Sequence, residues 1–257
     1  MLLAINIQNS IITIGCFEGE ELRGVSHIAA DTRLTADQYA CQISSVLHLK
    51  GYSPSEIDGA VMCSVVPALT SVIPDALQLL CRCRCINVGS GIRTGLNLEV
   101  DNPRAFGSDL VCVAVEAAAL KKLPALVIDM NTAITFTALD SRGVLSGSAI
   151  APGIHISLDA LRENAAQLPA ISLNREIPKV IGKNTVDAMT SGVLYGAASM
   201  LDGMIARFRA QLGENLTVYL TGADAELVAP LMQEHTERRD DMVLYGLHRI
   251  WHKNCRK

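Results

Sequence analysis

With 257 residues, 49% of them hydrophobic and 19% charged, the chain has enough apolar material for one large core or two ordinary ones and cannot be read as disordered. Its formal charge of -4 excludes the extended basic face that a phosphate-backbone binder needs, so no nucleic-acid partner is expected. No apolar run reaches the ~18 residues of a membrane span, and the apolar amino terminus lacks a basic lead and reads as a core strand, so a soluble, cytoplasmic protein without a membrane partner is expected.

In chain order, residues 1–17 predict a hairpin, Glu18-Gly19-Glu20 its next turn, and Glu21–Ala29 a third strand. A helix opens at Thr35-Ala36-Asp37 and runs through Lys50, with Leu34 and Tyr39 starting its apolar stripe. Residues 59–67 read as a buried strand ending in a proline-bearing turn, followed by a helix through Leu80 and a short strand over 84–89. The stretch 90–103 is irregular apart from 95–100. The second half predicts a helix over 103–123, strands over 125–129, 134–137 and 143–153, helices over 156–167 and Thr185–Leu212, a strand over 216–220, and helices over 224–234 and 241–253. Asn184 or Thr185 would cap the long helix at its start and Gly213 at its end.

Within this order the chain repeats itself. Ile5-Asn6-Ile7-Gln8-Asn9-Ser10 precedes an apolar strand, and Ile128-Asp129-Met130-Asn131-Thr132-Ala133 does the same. Each copy is a strand that presents one acid or amide, turns through small polar residues and returns, as a hairpin built to hold phosphate does. The β-β-β-α-β-α-β order is that of a ribonuclease H-like domain. The expected fold is therefore α/β, two duplicated ribonuclease H-like domains over residues 1–114 and 115–257 with a nucleotide cleft between them.

The cysteines at 16, 41, 63, 81, 83, 85, 112 and 255 mostly fall in apolar segments and read as small buried hydrophobes. The spacing of Cys81-Arg82-Cys83-Arg84-Cys85 suits the alternating face of a strand and not a zinc knuckle. His248 and His252 lie four apart with no adjacent glutamate or third ligand in the local sequence, so they read as surface residues.

Several segments in succession resemble the type III pantothenate kinases, members of the superfamily of acetate kinase, sugar kinases, actin and heat-shock chaperones. The matching residues run from Asn6, Ile7, Gln8, Asn9 and Ser10 through Ser64-Val65-Val66-Pro67, Asn102-Pro103 and Gly107-Ser108-Asp109. They continue through Asp129 to Thr135, Ala151-Pro152-Gly153, Gly182-Lys183-Asn184-Thr185, Ser191-Gly192 and Thr221-Gly222 to Leu247 and Lys253-Asn254. The resemblance implies ATP-dependent phosphorylation of pantothenate to 4'-phosphopantothenate, the first step of coenzyme A biosynthesis, with Mg2+ and a monovalent cation, potassium or ammonium, and a homodimer whose seam is the helix Thr185–Leu212.

The same resemblance implies the site. Asp109 would be the catalytic base, since a primary alcohol needs a positioned carboxylate to accept its proton as it attacks phosphorus; a helix-capping or solvent-facing aspartate is the alternative. Asn6, Ile7, Gln8, Asn9, Ser10 and Thr132 would hold ATP phosphates, Asp129 the monovalent cation, and Gly107, Ser108, Asp109, Leu110 and Thr185 the substrate. Asp129 read by itself is equally a turn aspartate, and Thr185 an N-cap.

The chain departs from the family at the phosphate loops. Asn6 stands where aspartate is usual, Gln8 and Asn131 where glycines are, Ala223 in place of the second glycine of a Thr-Gly-Gly turn, Leu110 where many members carry arginine, and Val100 where tyrosine is frequent. A lost arginine would remove a charge-assisted bond of roughly 1.5–3 kcal/mol, about 10- to 100-fold in binding, which Arg104 could replace. The alternative to an active kinase is a catalytically impaired relative with a ligand-binding or regulatory role.

Overall fold

The computed structural model describes residues 1–103, 106–173 and 179–255. The chain forms two compact units, one made of Met1–Leu96, Asp101–Ala119 and Met242–Lys257, the other of Asn97–Val100 and Leu120–Asp241.

The first unit holds β1 (Leu2–Ile7), β2 (Ile11–Glu18) and β3 (Glu21–Ala29), then α1 (Ala36–Leu49), β4 (Gly59–Ser64), α2 (Leu69–Cys81), β5 (Arg84–Asn87) and α3 (Ser108–Ala119). Its sheet order is β3-β2-β1-β4-β5, with β1, β2 and β3 antiparallel and β4 and β5 parallel to β1. β1 is buried along its whole length, which is why it reads as an unbroken apolar run. One core gathers Leu3, Ile5, Tyr39, Ile43, Ile73 and Leu77 from strands β1 and helices α1 and α2. α1 starts on a complete capping box, in which the Thr35 hydroxyl accepts from the Gln38 N–H and the Gln38 side chain accepts from the Thr35 N–H.

The second unit repeats this plan with β6 (Ala125–Met130), β7 (Ala133–Leu139), β8 (Leu145–Pro152), α4 (Ile154–Asn164), α5 (Thr185–Leu212), β9 (Thr217–Thr221), α6 (Ala225–Val228) and β10 (Glu237–Arg238). Its sheet order, β8-β7-β6-β9-β10, is that of the first sheet. The register agrees as well: Asn6 lies opposite Thr13 in β1–β2, and Asp129 opposite Thr135 in β6–β7. The duplication expected from the hairpins thus extends to every strand, and the α/β class of paired ribonuclease H-like units stands.

The last helix, α7 (Met242–Asn254), groups with the first unit although it follows the second in sequence. It packs on α3, β1 and β4. Three glycines permit the close approach. Gly59 receives the Trp251 ring, a Cβ on Gly15 would stand 2.8 Å from the Leu244 Cδ1, and a Cβ on Gly246 would fall on the Cys112 carbonyl of α3. Gly246→Ala is therefore expected to force α7 off α3 and destabilise the chain by about 1–3 kcal/mol, the usual effect of overpacking. A urea titration with an unchanged midpoint would contradict this packing account.

Several elements differ from expectation. The helix expected over 103–123 begins only at Ser108, after Gly107, and ends at Ala119 ahead of the left-handed Lys121 and Pro124. The helix expected over 224–234 stops at Val228, because Pro230 lacks an N–H, and continues only as a 3-10 turn, Ala229–Leu231. Residues 95–100 form no strand beyond one bridge from Leu98 to Leu145. β10 was not expected; two charged residues carry no alternation to read.

The cysteine cluster is corrected too. Cys81 ends α2, Arg82 turns the chain through a left-handed φ of 50°, and only Cys85 lies in β5, so the three do not share a strand face. All eight cysteines are free thiols, but only Cys16, Cys63 and Cys112 are buried.

Candidate active site

In the first unit the candidate residues gather at the carboxyl ends of β1 and β4, the edge where parallel α/β sheets bind ligands. The two strands run in register so that Asn6 sits beside Cys63 and Ile7 beside Ser64. The Val65 N–H donates to the Ile7 carbonyl (3.0 Å), and the Gln8 N–H closes the hairpin onto the Ile11 carbonyl (2.9 Å). Ile7 is buried, Gln8 half-buried, and Asn9 and Ser10 exposed at the tip.

Asn6 is itself buried, and its Oδ1 accepts the Cys63 thiol at 3.3 Å. An aspartate here would be a buried charge facing a weak S–H donor, whereas the amide is neutral and stays paired. Cys63 in turn bonds Cys112 of α3, and that bond and its burial push the thiol well above its ordinary pKa. This cysteine pair escaped the sequence reading because its members lie 49 residues apart in number yet meet through the packing of α3 on β4.

Asp109 occupies the first turn of α3, next to Ser108, whose hydroxyl donates to the Ser64 carbonyl at 3.3 Å. Its charge is felt at Cys63, which ties it to the carboxyl end of β4. Burial raises the Asp109 pKa above the usual carboxylate value, and main-chain N–H bonds from Leu110 and its own residue partly offset the rise. A half-buried carboxyl in the first turn of a helix and a raised proton affinity thus occur together at Asp109. A Cβ on Gly107 would stand 2.6 Å from Asp109 Oδ1 and would displace that carboxylate. Leu110 is buried, and Arg104 lies outside the described residues.

In the second unit the hairpin is locked onto the turn after β9. Asp129 is buried, and its Oδ1 accepts the Asn131 amide at 2.6 Å, while Asn131 Oδ1 accepts the Ala223 N–H at 3.1 Å. Asn131 therefore joins the acid to the Thr221-Gly222-Ala223 turn. Gly222 has φ +99°, and a Cβ there would run into the Met130 main chain and stand 2.6 Å from Asp129 Oδ1. The Gly153 N–H donates to the Thr132 carbonyl at 3.2 Å. Thr132 is half-buried, and its hydroxyl bonds nothing among the described residues.

Asp224, which the sequence reading passed over, completes this cluster. It is buried, its N–H donates to the Met130 carbonyl at 3.1 Å, and its carboxylate lies 3.2 Å from the His155 Nε2. Burial raises its pKa and His155 opposes the rise. The available signal was an acid directly after a Thr-Gly turn at a strand end. Two buried carboxylates, Asp129 and Asp224, thus lie beside the Met130 main chain, Asp129 held by the Asn131 amide and Asp224 by His155.

Thr185 is not the cap of α5. Asn184 is, accepting the Asp187 N–H at 2.9 Å, and Thr185 is the exposed first residue of the helix. It lines a pocket of about 680 Å³ with Leu161, Leu168, Lys183, Met189 and Val193.

Two units, each a five-stranded sheet in the same strand order with its helices, make a duplicated α/β, ribonuclease H-like fold. Solved structures agree at the level of fold: a conserved Baf-family protein from Campylobacter jejuni superposes with a TM-score of 0.62 at 17% identity over 98% of both chains. Component A of the (R)-2-hydroxyglutaryl-CoA dehydratase of Acidaminococcus fermentans does so at 0.56 and 14% identity, again over 98% of both. The sequence profile of the type III pantothenate kinases matches residues 2–207. The type III pantothenate kinase of Moorella thermoacetica is 38% identical over 99% of this chain and 100% of its own, and that of Myxococcus xanthus 37% over 99% of each. The chain belongs to the type III pantothenate kinase family.

Proposed function

We infer that this chain is an ATP-dependent kinase that phosphorylates pantothenate to 4'-phosphopantothenate, the entry to coenzyme A biosynthesis. Family membership along the whole chain carries this reading, and the same full-length likeness disfavours a catalytically impaired, regulatory protein. The Asn131 side chain adds support, because it is tied down by Asp129 and Ala223 within the second unit.

In the mechanism we assign, the pantothenate hydroxyl oxygen attacks the γ-phosphorus, the bond to the β-bridging oxygen breaks with ADP leaving, and Asp109 takes the hydroxyl proton. Gly107, Ser108, Leu110 and Thr185 contact the substrate, and the hairpin residues Asn6, Ile7, Gln8, Asn9 and Ser10, with Thr132, hold the phosphates. Mg2+ brought with ATP would supply charge neutralisation of the triphosphate, and Asp129 would hold a monovalent cation. The burial of Asp129 favours that assignment, because a buried carboxylate needs compensation of its charge. The two duplicated segments are taken as residues 1–114 and 115–257.

The working form we propose is a cytoplasmic homodimer joined along α5. Val180, Ile181 and Val186, all exposed beside the start of that helix, favour such a seam, and among the described residues no helix is long and apolar enough to cross a membrane.

Purified protein given ATP, Mg2+, K+ and pantothenate should release ADP in step with 4'-phosphopantothenate and sediment as two chains. Absence of turnover would overturn the kinase reading, turnover only with another alcohol the substrate, and an active monomer the dimer.

A further inference from the structure

α7 presents His248 and His252 one turn apart to the β2–β3 turn, within the first unit. His248 is only 2% exposed, so the expectation of a surface residue is corrected. Its ring stacks on Phe17 at 4.4 Å between centroids. Its Nε2 lies 2.7 Å from the Gly19 carbonyl oxygen and 3.0 Å from the Nε2 of His252, and its Nδ1 is 3.9 Å from a carboxylate oxygen of Glu20. One ligating atom from each of Glu20, His248 and His252 falls within 4.8 Å of the other two. The third ligand missing from the local sequence is thus supplied by a residue more than two hundred positions away.

These distances suit a metal ion. Around tetrahedral zinc, with bonds to nitrogen and oxygen of about 2.0–2.2 Å, neighbouring ligand atoms stand roughly 3.3 Å apart, so the imidazole pair needs little adjustment. A pocket of about 390 Å³ opens beside the three side chains and admits a hydrated ion. Of the cations lining it, Arg249 is held by both Glu116 oxygens, and Lys253 packs against Gly95.

We propose that Glu20, His248 and His252 form a site for one divalent transition-metal ion of the zinc class, which fastens the β2–β3 turn to the terminal helix. The ion takes the place of the hydrogen that His248 Nε2 shares with Gly19, and the ring carries its one proton on Nδ1 instead. The Gly19 carbonyl or a water completes the coordination. Two imidazoles select such an ion over Mg2+, and none of the residues assigned to phosphoryl transfer takes part.

Titration of the whole protein with Zn2+ in Mg2+-containing buffer, followed by calorimetry, should show one equivalent bound and a higher melting temperature. Substituting Co2+ should give visible d–d bands without thiolate-to-cobalt charge transfer. Glu20→Gln and His252→Ala alter exposed side chains and preserve the fold; each should weaken binding about 10- to 100-fold and abolish the thermal gain. No uptake, cobalt–thiolate absorption showing the ion on cysteines, or unchanged affinity in both variants would each overturn the site.

Discussion

Asp109→Asn is expected to lower kcat by about 10²–10⁴-fold, the usual share of a positioned general base, with ATP and pantothenate still bound. The amide keeps an oxygen to accept the Leu110 N–H, so the start of α3 is preserved while the proton acceptor is lost. Two pH effects accompany it. Burial raises the Asp109 pKa, so the rate of the parent enzyme should fall with decreasing pH at a midpoint above the ~3.9 of a free aspartate. The same raised pKa means that the buried carboxyl favours the fold when protonated, below its unfolded pKa, and that this contribution is lost as pH rises through the folded value. At neutral pH the Asn variant should therefore melt at a higher temperature than the parent, and the gap should close on acidification. Full turnover in the variant would remove Asp109 from the mechanism; a lower melting temperature at neutral pH would contradict the desolvation account.

Gly222→Ala is expected to damage both stability and activity. The left-handed φ of +99° and the Cβ collision with the Met130 main chain and Asp129 Oδ1 act together, at about 2–4 kcal/mol from backbone strain and overpacking. Relief can come only by moving the turn, which breaks the Asn131 bridge between Asp129 and Ala223. kcat/KM should drop more than about tenfold, since a misplacement of one ångström suffices for such losses. Denaturation curves and steady-state kinetics on the same preparation check both parts, and a variant with parental stability and turnover would show that the turn has slack these distances do not suggest.

Much of the fold was legible because local physics agrees with it. Periodicity marked β3 and α5 to within a residue, with Asn184 and Gly213 at the ends of α5, since alternation and caps are properties of neighbours in sequence. The expected element ends failed where one residue overruled the pattern, as Pro230 did in α6 and Gly107 ahead of α3. The altered loop residues were legible as departures, but not in their consequences. Asn6 proves to be paired with a thiol from β4, and Asn131 with an acid and a main-chain donor from another turn. Such partners are chosen by packing across the sheet.

By itself the sequence determined the duplication, the α/β class and the family, because paired hairpin motifs and apolar periods are written within short windows of chain. Tertiary structure alone decided that the terminal helix completes the first unit, that Cys63 meets both Asn6 and Cys112, that Asp224 joins Asp129, and that Glu20 meets His248 and His252. Each of these depends on contacts between distant segments, which form when apolar faces and glycine-lined surfaces exclude water together, and no local window records which segment will arrive.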